Sequence, residues 1–414
     1  MLTKLGKKIG IDLNYFIKNG FFLFLDDGVN VVMVFLLSLA FANFLSPETY
    51  GRYSFITAAL AMITAFSLPK MQTAITAAIS QNRDAIFIPA IKTVLKWAAF
   101  GGLILIIIAL YELVFEKDIE MTQAFVITAI LWPFASASNY FKAYYCGKQK
   151  FKTFTIISIS LTVLMNGALI LASYLNASIL ILIAVFLGAQ IILKGFWTLL
   201  IASKTPQNKT TDFKKDLQFG IQMSFVELLP QISHYGDKII IGFFLDFRSL
   251  AIYTFAILIT EQIKFLLKNI FMLALPRYSS KSEQEVKKRI PVHFVYILII
   301  TALTVLAFIA VCPWIYKFFF PQYKDSIPYA QVLAISLLFM PGKTFSTAME
   351  SHYKKTALFI FNTILPIQKI AFMLVLIPTF HLWGAVLSLA LSRLVELIVS
   401  PLLFYHFYSD KKLS

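Results

Sequence analysis

The sequence predicts an all-α polytopic membrane protein: about twelve transmembrane helices arranged as two parallel-repeat six-helix bundles. Three observations lead there. First, 59% of the 414 residues are apolar and only 14% are charged, against roughly 45–50% and about 25% in an ordinary soluble domain. Second, the charges are absent over long stretches, with none in the 41 residues from Thr153 to Leu193 and none in the 27 from Ile290 to Tyr316. A spanning helix needs about 20 mostly apolar residues. Third, a short motif recurs 200 residues apart at equivalent positions of two halves. Soluble enzymes, disordered scaffolds and secreted disulfide modules are excluded. Outer-membrane barrels are excluded too, because their strands alternate in polarity every second residue and these runs do not.

Read in order against their polar punctuation, the apolar runs give spans at 21–45, 50–80, 92–115, 121–145, 153–175 and 178–201, then 217–245, 251–276, 290–316, 327–350, 356–378 and 383–408. The first carries Asp26 and Asp27, is too long for the apolar region of a signal peptide and lacks a small-residue cleavage site, so it is read as a retained helix. The second is interrupted at Pro69 and the eighth ends at Pro276. Between the sixth and seventh lies SKTPQNKTTDFKKD, residues 203–216, a polar and basic linker. The expected domains are therefore 1–202, the linker 203–216, and 217–414.

Basic residues in short loops stay cytoplasmic. With the N-terminus inside, the inner segments hold 24 Lys and Arg and the outer connections five (Arg52, Lys117, Arg248, Lys317 and Lys324). Shifting the count by one helix destroys that asymmetry, so both termini are expected to be cytoplasmic. The same topology explains most of the net charge of +16, with contact to anionic headgroups as its further use. The basic residues are split among seven short segments with no basic domain, so nucleic acid is not an expected partner. Cys146 and Cys312 fall at opposite faces and cannot pair within the chain. The sequon Asn176-Ala177-Ser178 sits in a tiny outer loop and is read as chance.

The repeat pairs FLSPETYGRYSF (44–55) with FLDFRSLAIYTF (244–255). Phe44/Phe244, Leu45/Leu245, Tyr53/Tyr253 and Phe55/Phe255 are identical, and Gly51/Ala251 and Ser54/Thr254 are conservative. Both copies lie at the outer turn after the first helix of a six-helix half. Each half starts inside, so the repeat is parallel, an arrangement of transporters with a cargo path between the halves.

After the loop and boundary residues are set aside, fifteen Lys, Arg, Asp and Glu residues lie within the spans: Lys70, Lys194, Lys238, Lys264, Lys268, Lys343, Lys369 and Arg393, with Asp26, Asp27, Glu227, Asp237, Glu261, Glu350 and Glu396. At ~2.5–3.5 kcal/mol each for a helix centre, lipid exposure of all of them would cost on the order of 40 kcal/mol. Several must line a wet interior or pair. Glu261, Lys264 and Lys268 share one face of the eighth span at i, i+3 and i+7. Two readings stay open: internal salt bridges such as Glu261–Lys264 and Arg393–Glu396, or a cationic cavity for an anionic cargo. His234, three residues before Asp237, is expected to hydrogen-bond it locally or to relay protons with it. Pro341-Gly342-Lys343-Thr344 looks like the end of a phosphate-binding loop, but Leu337 stands where the first glycine belongs and the segment is an apolar helix, so no ATPase is expected. HExxH, GxSxG and CxxC do not occur, and no enzyme activity is expected.

The stretches FLSPETYGRYSFITAALAMITAFSLPKMQTAI (44–75) and FGIQMSFVELLPQISHYGDKIIIGFFLDFRSLAIYTFA (219–256) resemble polysaccharide transporters, the O-antigen (Wzx-type) flippase branch of the multidrug/oligosaccharidyl-lipid/polysaccharide (MOP, MATE-like) exporter superfamily. A turn like LSPEEYGxYS after the first helix characterises that family. Length and the six-plus-six count extend the resemblance over the whole chain. It implies a flippase that moves undecaprenyl-diphosphate-linked oligosaccharide, an O-antigen, capsule or similar repeat unit, from the inner to the outer leaflet of the bacterial plasma membrane by alternating access. It also implies a cationic cavity, no cofactor beyond coupling to H+ or Na+, and a monomer working alone or beside other glycan-assembly proteins. Lys264 and Lys268 are the first candidates for the diphosphate, then Arg393, Lys70, Lys343 and Lys369; Asp26, Asp27, Asp237 and Glu261 are the candidates for ion coupling. A drug or cation antiporter of the same superfamily would favour an acidic cavity. A major-facilitator porter would show a GxxxDRxGR-like loop where 80–96 reads SQNRDAIFIPAIKTVLK. A polysaccharide polymerase or glycosyltransferase would carry a large outer loop, and the longest here is about ten residues.

Overall fold

The computed structural model describes residues 13–206, 213–279 and 281–408. Helices follow one another through all of them, and no strand occurs among the described residues. Eight helices are long and apolar enough to cross a membrane, and the bent pair Pro47–Ser67 and Met71–Ser80 makes a ninth. The last of the eight, Lys355–Phe407, is two spans. His381 interrupts it at φ 53°, ψ −132°, and a Cβ on Gly384 would overlap the Leu376 carbonyl. Residues eight apart in a straight helix stand about 12 Å apart, so the chain doubles back here. With Lys214–Val226 continuing into Leu228–Phe244, and with Phe247–Ser279, the described residues contain twelve spans in chain order.

Both copies of the repeated motif fold alike. A helix ends at Phe44 or Phe244, two residues turn, and a helix starts at Pro47 or Phe247. Ser46 Oγ accepts the Thr49 N–H at 3.1 Å, and Asp246 Oδ1 accepts the Ser249 N–H at 2.7 Å. Each satisfies a donor left over in a helix's first turn. The two caps stand 200 residues apart, in register with the identities read from sequence.

By packing, the chain forms two compact units: residues 1–45 with 63–228, and 46–62 with 229–414. Contact thus cuts the chain differently from chain order. Residues 46–62, the first half of the second span, belong with the second unit, and Lys214–Val226 belongs with the first.

In the first unit, the third and fourth spans (Asp84–Glu116 and Ile119–Gly147) pack through the Gly101-Gly102 pair, where Trp132 and the Ala129 carbonyl leave no room for a Cβ. The second span breaks at Pro69, preceded by Leu68 at φ 51°. At the break the Ser67 carbonyl accepts from Tyr140 OH at 2.7 Å, and the Leu68 carbonyl accepts from both Tyr140 OH at 3.0 Å and the Met71 N–H at 2.8 Å, so the buried carbonyls there are satisfied. Around the break, Met71, Ile75, Ile79, Phe87, Phe141 and Phe154 form a buried core.

In the second unit, Pro47–Met62 lies on the eighth span. Gly51 meets the Phe247 carbonyl with no space for a side chain, and Gly242 receives the Phe55 ring. Tyr50, Phe255 and Tyr323 stack behind them, with ring centroids 4.8 and 3.9 Å apart. Cys146 and Cys312 are both free thiols. Ser336–Gly342, the segment that looked like a phosphate-binding loop, is a 3-10 turn of helix closed by Pro341 and Gly342.

Candidate functional site

A cavity of about 260 Å³ opens inside the second unit. Ser233 and His234 of the seventh span reach it, with Lys264 of the eighth, Lys343 of the tenth, Asn362 and Lys369 of the eleventh, and Ser392, Arg393 and Glu396 of the twelfth. Local winding sets where the lysines sit. Lys343 is the first residue after the 3-10 segment, and Gly342 presses on the Leu397 backbone, where a Cβ would come to 2.9 Å from Leu397 Cα. The tenth span is thereby held tight on the twelfth and Lys343 stands at the wall. Lys369 follows Pro366, which also lines the cavity.

Arg393 is the most enclosed of the cations, its side chain 7% exposed. One terminal nitrogen donates to Ser336 Oγ at 2.6 Å and to the Leu333 carbonyl at 3.1 Å. The other reaches Glu261 Oε1 at 3.4 Å. Glu261 is also gripped by Lys264, whose ammonium donates to Oε1 at 2.9 Å and Oε2 at 2.8 Å. The expected Glu261–Lys264 pair is therefore present. The expected Arg393–Glu396 pair is not found among the described residues, because the guanidinium points across to the eighth and tenth spans rather than along its own helix. Lys343 and Lys369 have no carboxylate within ion-pair distance among the described residues. Lys264, Lys343, Lys369 and Arg393 line the cavity against Glu396 alone, a surplus of three positive charges, which Glu261, paired with Lys264 and Arg393, lowers to two.

Asp237 lies beside this cluster and is almost wholly buried. Oδ2 accepts from Tyr253 OH at 2.7 Å, and Oδ1 from the backbone N–H of Lys238 at 2.8 Å. The local His234–Asp237 hydrogen bond expected from sequence is not made. The imidazole faces the cavity while the carboxylate turns to the eighth span. Tyr253 is held in place by its neighbours' backbones: the Phe255 carbonyl accepts from Tyr316 OH and the Ile252 carbonyl from Ser326 Oγ, both at 2.8 Å. Tyr253 was visible in the sequence as a repeated residue and Asp237 as a carboxylate at depth, but their pairing was not. Ser336 and the Leu333 carbonyl, which aim Arg393, gave no signal.

The other candidates are Lys70, Asp26, Asp27 and Lys268. Lys70 is in the first unit, 2.6 Å from Glu227, with both side chains more than a third exposed. Asp26 and Asp27 are on the first span, half-buried and exposed respectively. Lys268 is on the eighth span, and its side chain lies outside those described.

A cavity bounded by five helices and carrying positive charge in a twelve-span chain is the arrangement against which known proteins can be compared. The polysaccharide biosynthesis protein family matches over residues 16–283. The chain belongs to that family. Among solved structures, it is similar to the lipid II flippase MurJ in an inward closed conformation, with a TM-score of 0.64 and 15% identity over 92% of this chain and 87% of that one. An inward-facing multidrug-resistance MATE transporter of the MOP superfamily gives 0.61 and 14% over 93% and 96%. A MOP superfamily transporter from Pyrococcus furiosus, described as having a binding pocket of reverse polarity, gives 0.57 and 14% over 93% and 94%. At such identities the likeness establishes the fold, and the fold is that of the MOP superfamily. The proteins that share it are transporters and flippases rather than enzymes. A comparison with curated proteins finds no match. This member of the polysaccharide biosynthesis family is thus a multi-pass membrane protein with a transporter fold.

Proposed function

We propose that the chain is a flippase for lipid-linked oligosaccharide, carrying a polyprenyl-diphosphate-linked glycan from the cytoplasmic to the outer leaflet of the bacterial plasma membrane. The single observation that carries the reading is the surplus of cations around the cavity of the second unit. A diphosphate brings about two negative charges, and a charge-assisted hydrogen bond to Lys or Arg is their natural partner in a site of low dielectric. Lys343 and Lys369 are the first contacts, with Lys264 and Arg393 behind them. The cations are mostly Lys, so the headgroup is held by point charges more than by planar bidentate forks. An antiporter for cationic drugs would need the opposite balance at this wall. The 24-to-5 distribution of basic residues supports a cytoplasmic location for both termini. Asp26, Asp27, Asp237 and Glu261 are the carboxylates through which a proton or sodium gradient would act.

Two experiments test this. Depletion in the native host should cause lipid-linked glycan to accumulate on the cytoplasmic leaflet; unchanged surface glycan, in a host with no second copy of the function, removes the proposal. In reconstituted vesicles, Lys343→Ala with Lys369→Ala should abolish flipping while the protein still folds. Normal transport by that double variant would mean the cationic wall is not the cargo site.

A further inference from the structure

Glu261 has no evident reason to be where it is if the cavity exists only to hold an anion. It places a carboxylate against two of the four cations, Lys264 at 2.8 and 2.9 Å and Arg393 at 3.4 Å. We infer that Glu261 is a resident counter-ion, holding in the unloaded protein the contacts that an incoming phosphate or diphosphate takes over. The inference rests on the anion-binding reading given above and concerns how that site is regulated.

Three features support it. The first is accessibility. The side chains of Glu261 and Lys264 are 30% and 27% exposed, and Lys264, which carries the contact, lines the cavity. A purely structural pair gains nothing from being left open to solvent, where its worth is small. The second is the asymmetry of the grip. Arg393 is pinned by Ser336 and the Leu333 carbonyl, whereas Lys264 has no bond except to Glu261 among the described residues. Its flexible stem can therefore change partner while the guanidinium stays. The third is charge. The cavity lining sets Lys264, Lys343, Lys369 and Arg393 against Glu396 alone, and in the empty state Glu261 lowers that surplus from three to two. The charged and titratable groups around Glu261 are Lys264 on its own helix, His234, Asp237 and Lys238 on the seventh span, Lys343 on the tenth, Lys369 on the eleventh, and Arg393 and Glu396 on the twelfth.

Glu261 is tethered beside Lys264 and Arg393 and so competes with any incoming anion for their contacts. A diphosphate offers several oxygens to Lys264, Lys343 and Lys369 together, which a monovalent anion such as chloride or acetate does not, so it displaces the carboxylate at a lower concentration. Glu261 is thus a threshold that selects multivalent anions.

The test uses the full chain in detergent, titrated with inorganic pyrophosphate by calorimetry, with melting curves to confirm folding. Glu261→Gln keeps the shape and removes the charge. Affinity should rise on the order of tenfold, within the 5- to 150-fold range typical of coupled sites, and chloride should begin to compete. If the glutamine variant does not fold, Glu261→Asp withdraws the charge from Lys264 by one methylene and should tighten binding less, in the same direction. Equal or weaker pyrophosphate binding by the folded variant, with wild type binding and Lys343→Ala/Lys369→Ala not binding, overturns the resident counter-ion and leaves the anion site standing. Absence of pyrophosphate binding in wild type and every variant overturns both.

Discussion

Replacing Tyr253 by Phe isolates one contact with little else disturbed. Tyr253 is 1% exposed and Asp237 3%, and the hydroxyl donates to Asp237 Oδ2 at 2.7 Å. Phe fills the same volume, so no cavity opens and the apolar burial of the ring is kept. What is lost is one charge-assisted hydrogen bond, and what remains is a carboxylate oxygen without its donor. A hydrogen bond to a charged group contributes ~1.5–3 kcal/mol. The Lys238 N–H at 2.8 Å still holds the other oxygen, which keeps the loss below the ~3–5 kcal/mol of a fully orphaned buried charge. A destabilisation of about 2 kcal/mol follows. It can be read from denaturant-induced loss of tryptophan fluorescence in detergent, beside Asp237→Asn and the double variant. The cycle should show a coupling of about 1–3 kcal/mol between the two positions. Additive effects, or a loss for Tyr253→Phe under about 0.5 kcal/mol, would show that the hydroxyl does not hold Asp237 and that Tyr253 recurs for packing alone.

Gly51→Val drives a branched side chain into the Phe247 carbonyl and should cost at least ~1–3 kcal/mol by overpacking, with expression falling sharply; Gly167→Ala, which meets nothing within 4 Å, should be neutral in the same assay. Ser46→Ala and Asp246→Ala each remove a helix cap and should lower stability by ~0.5–2 kcal/mol, read as comparable shifts in unfolding midpoint; a large effect in one and none in the other would argue against equivalent roles. Lys70→Ala should change stability by no more than about 1 kcal/mol, as expected for a pair with both side chains well exposed. It should also leave pyrophosphate affinity unchanged, and a fall in affinity would bring Lys70 into the binding site.

The spans were legible because their evidence is local. Apolar runs end where charges, prolines and the basic linker begin, and the helices of the structure end within a few residues of those marks. Pro69 announced its break, and the boundary read between 378 and 383 falls at the reversal at His381. That 46–62 packs with the second unit could not be read, because membership depends on which faces touch: Gly51 and Gly242 matter through Phe247 and Phe55, and no pattern along the chain pairs them. The site was half legible for the same reason. The energy of placing charges at depth singled out Lys264, Lys343, Lys369, Arg393 and Glu261. Spacing then suggested Glu396 for Arg393, three residues away, whereas the fold presents Glu261 from another helix. Asp237 likewise turned to Tyr253, sixteen residues on, and left His234 to the cavity.

The turn at 45–46 and its twin at 245–246 show what duplication preserves. One closes with a hydroxyl, the other with a carboxylate, and the backbone between Phe44 and Phe55 takes the same path as that between Phe244 and Phe255. Letters diverge there while the chemical office persists. An ancestral module copied in tandem can therefore lose most of its written likeness and still be recognised, provided the alignment scores acceptors at the start of helices instead of identities.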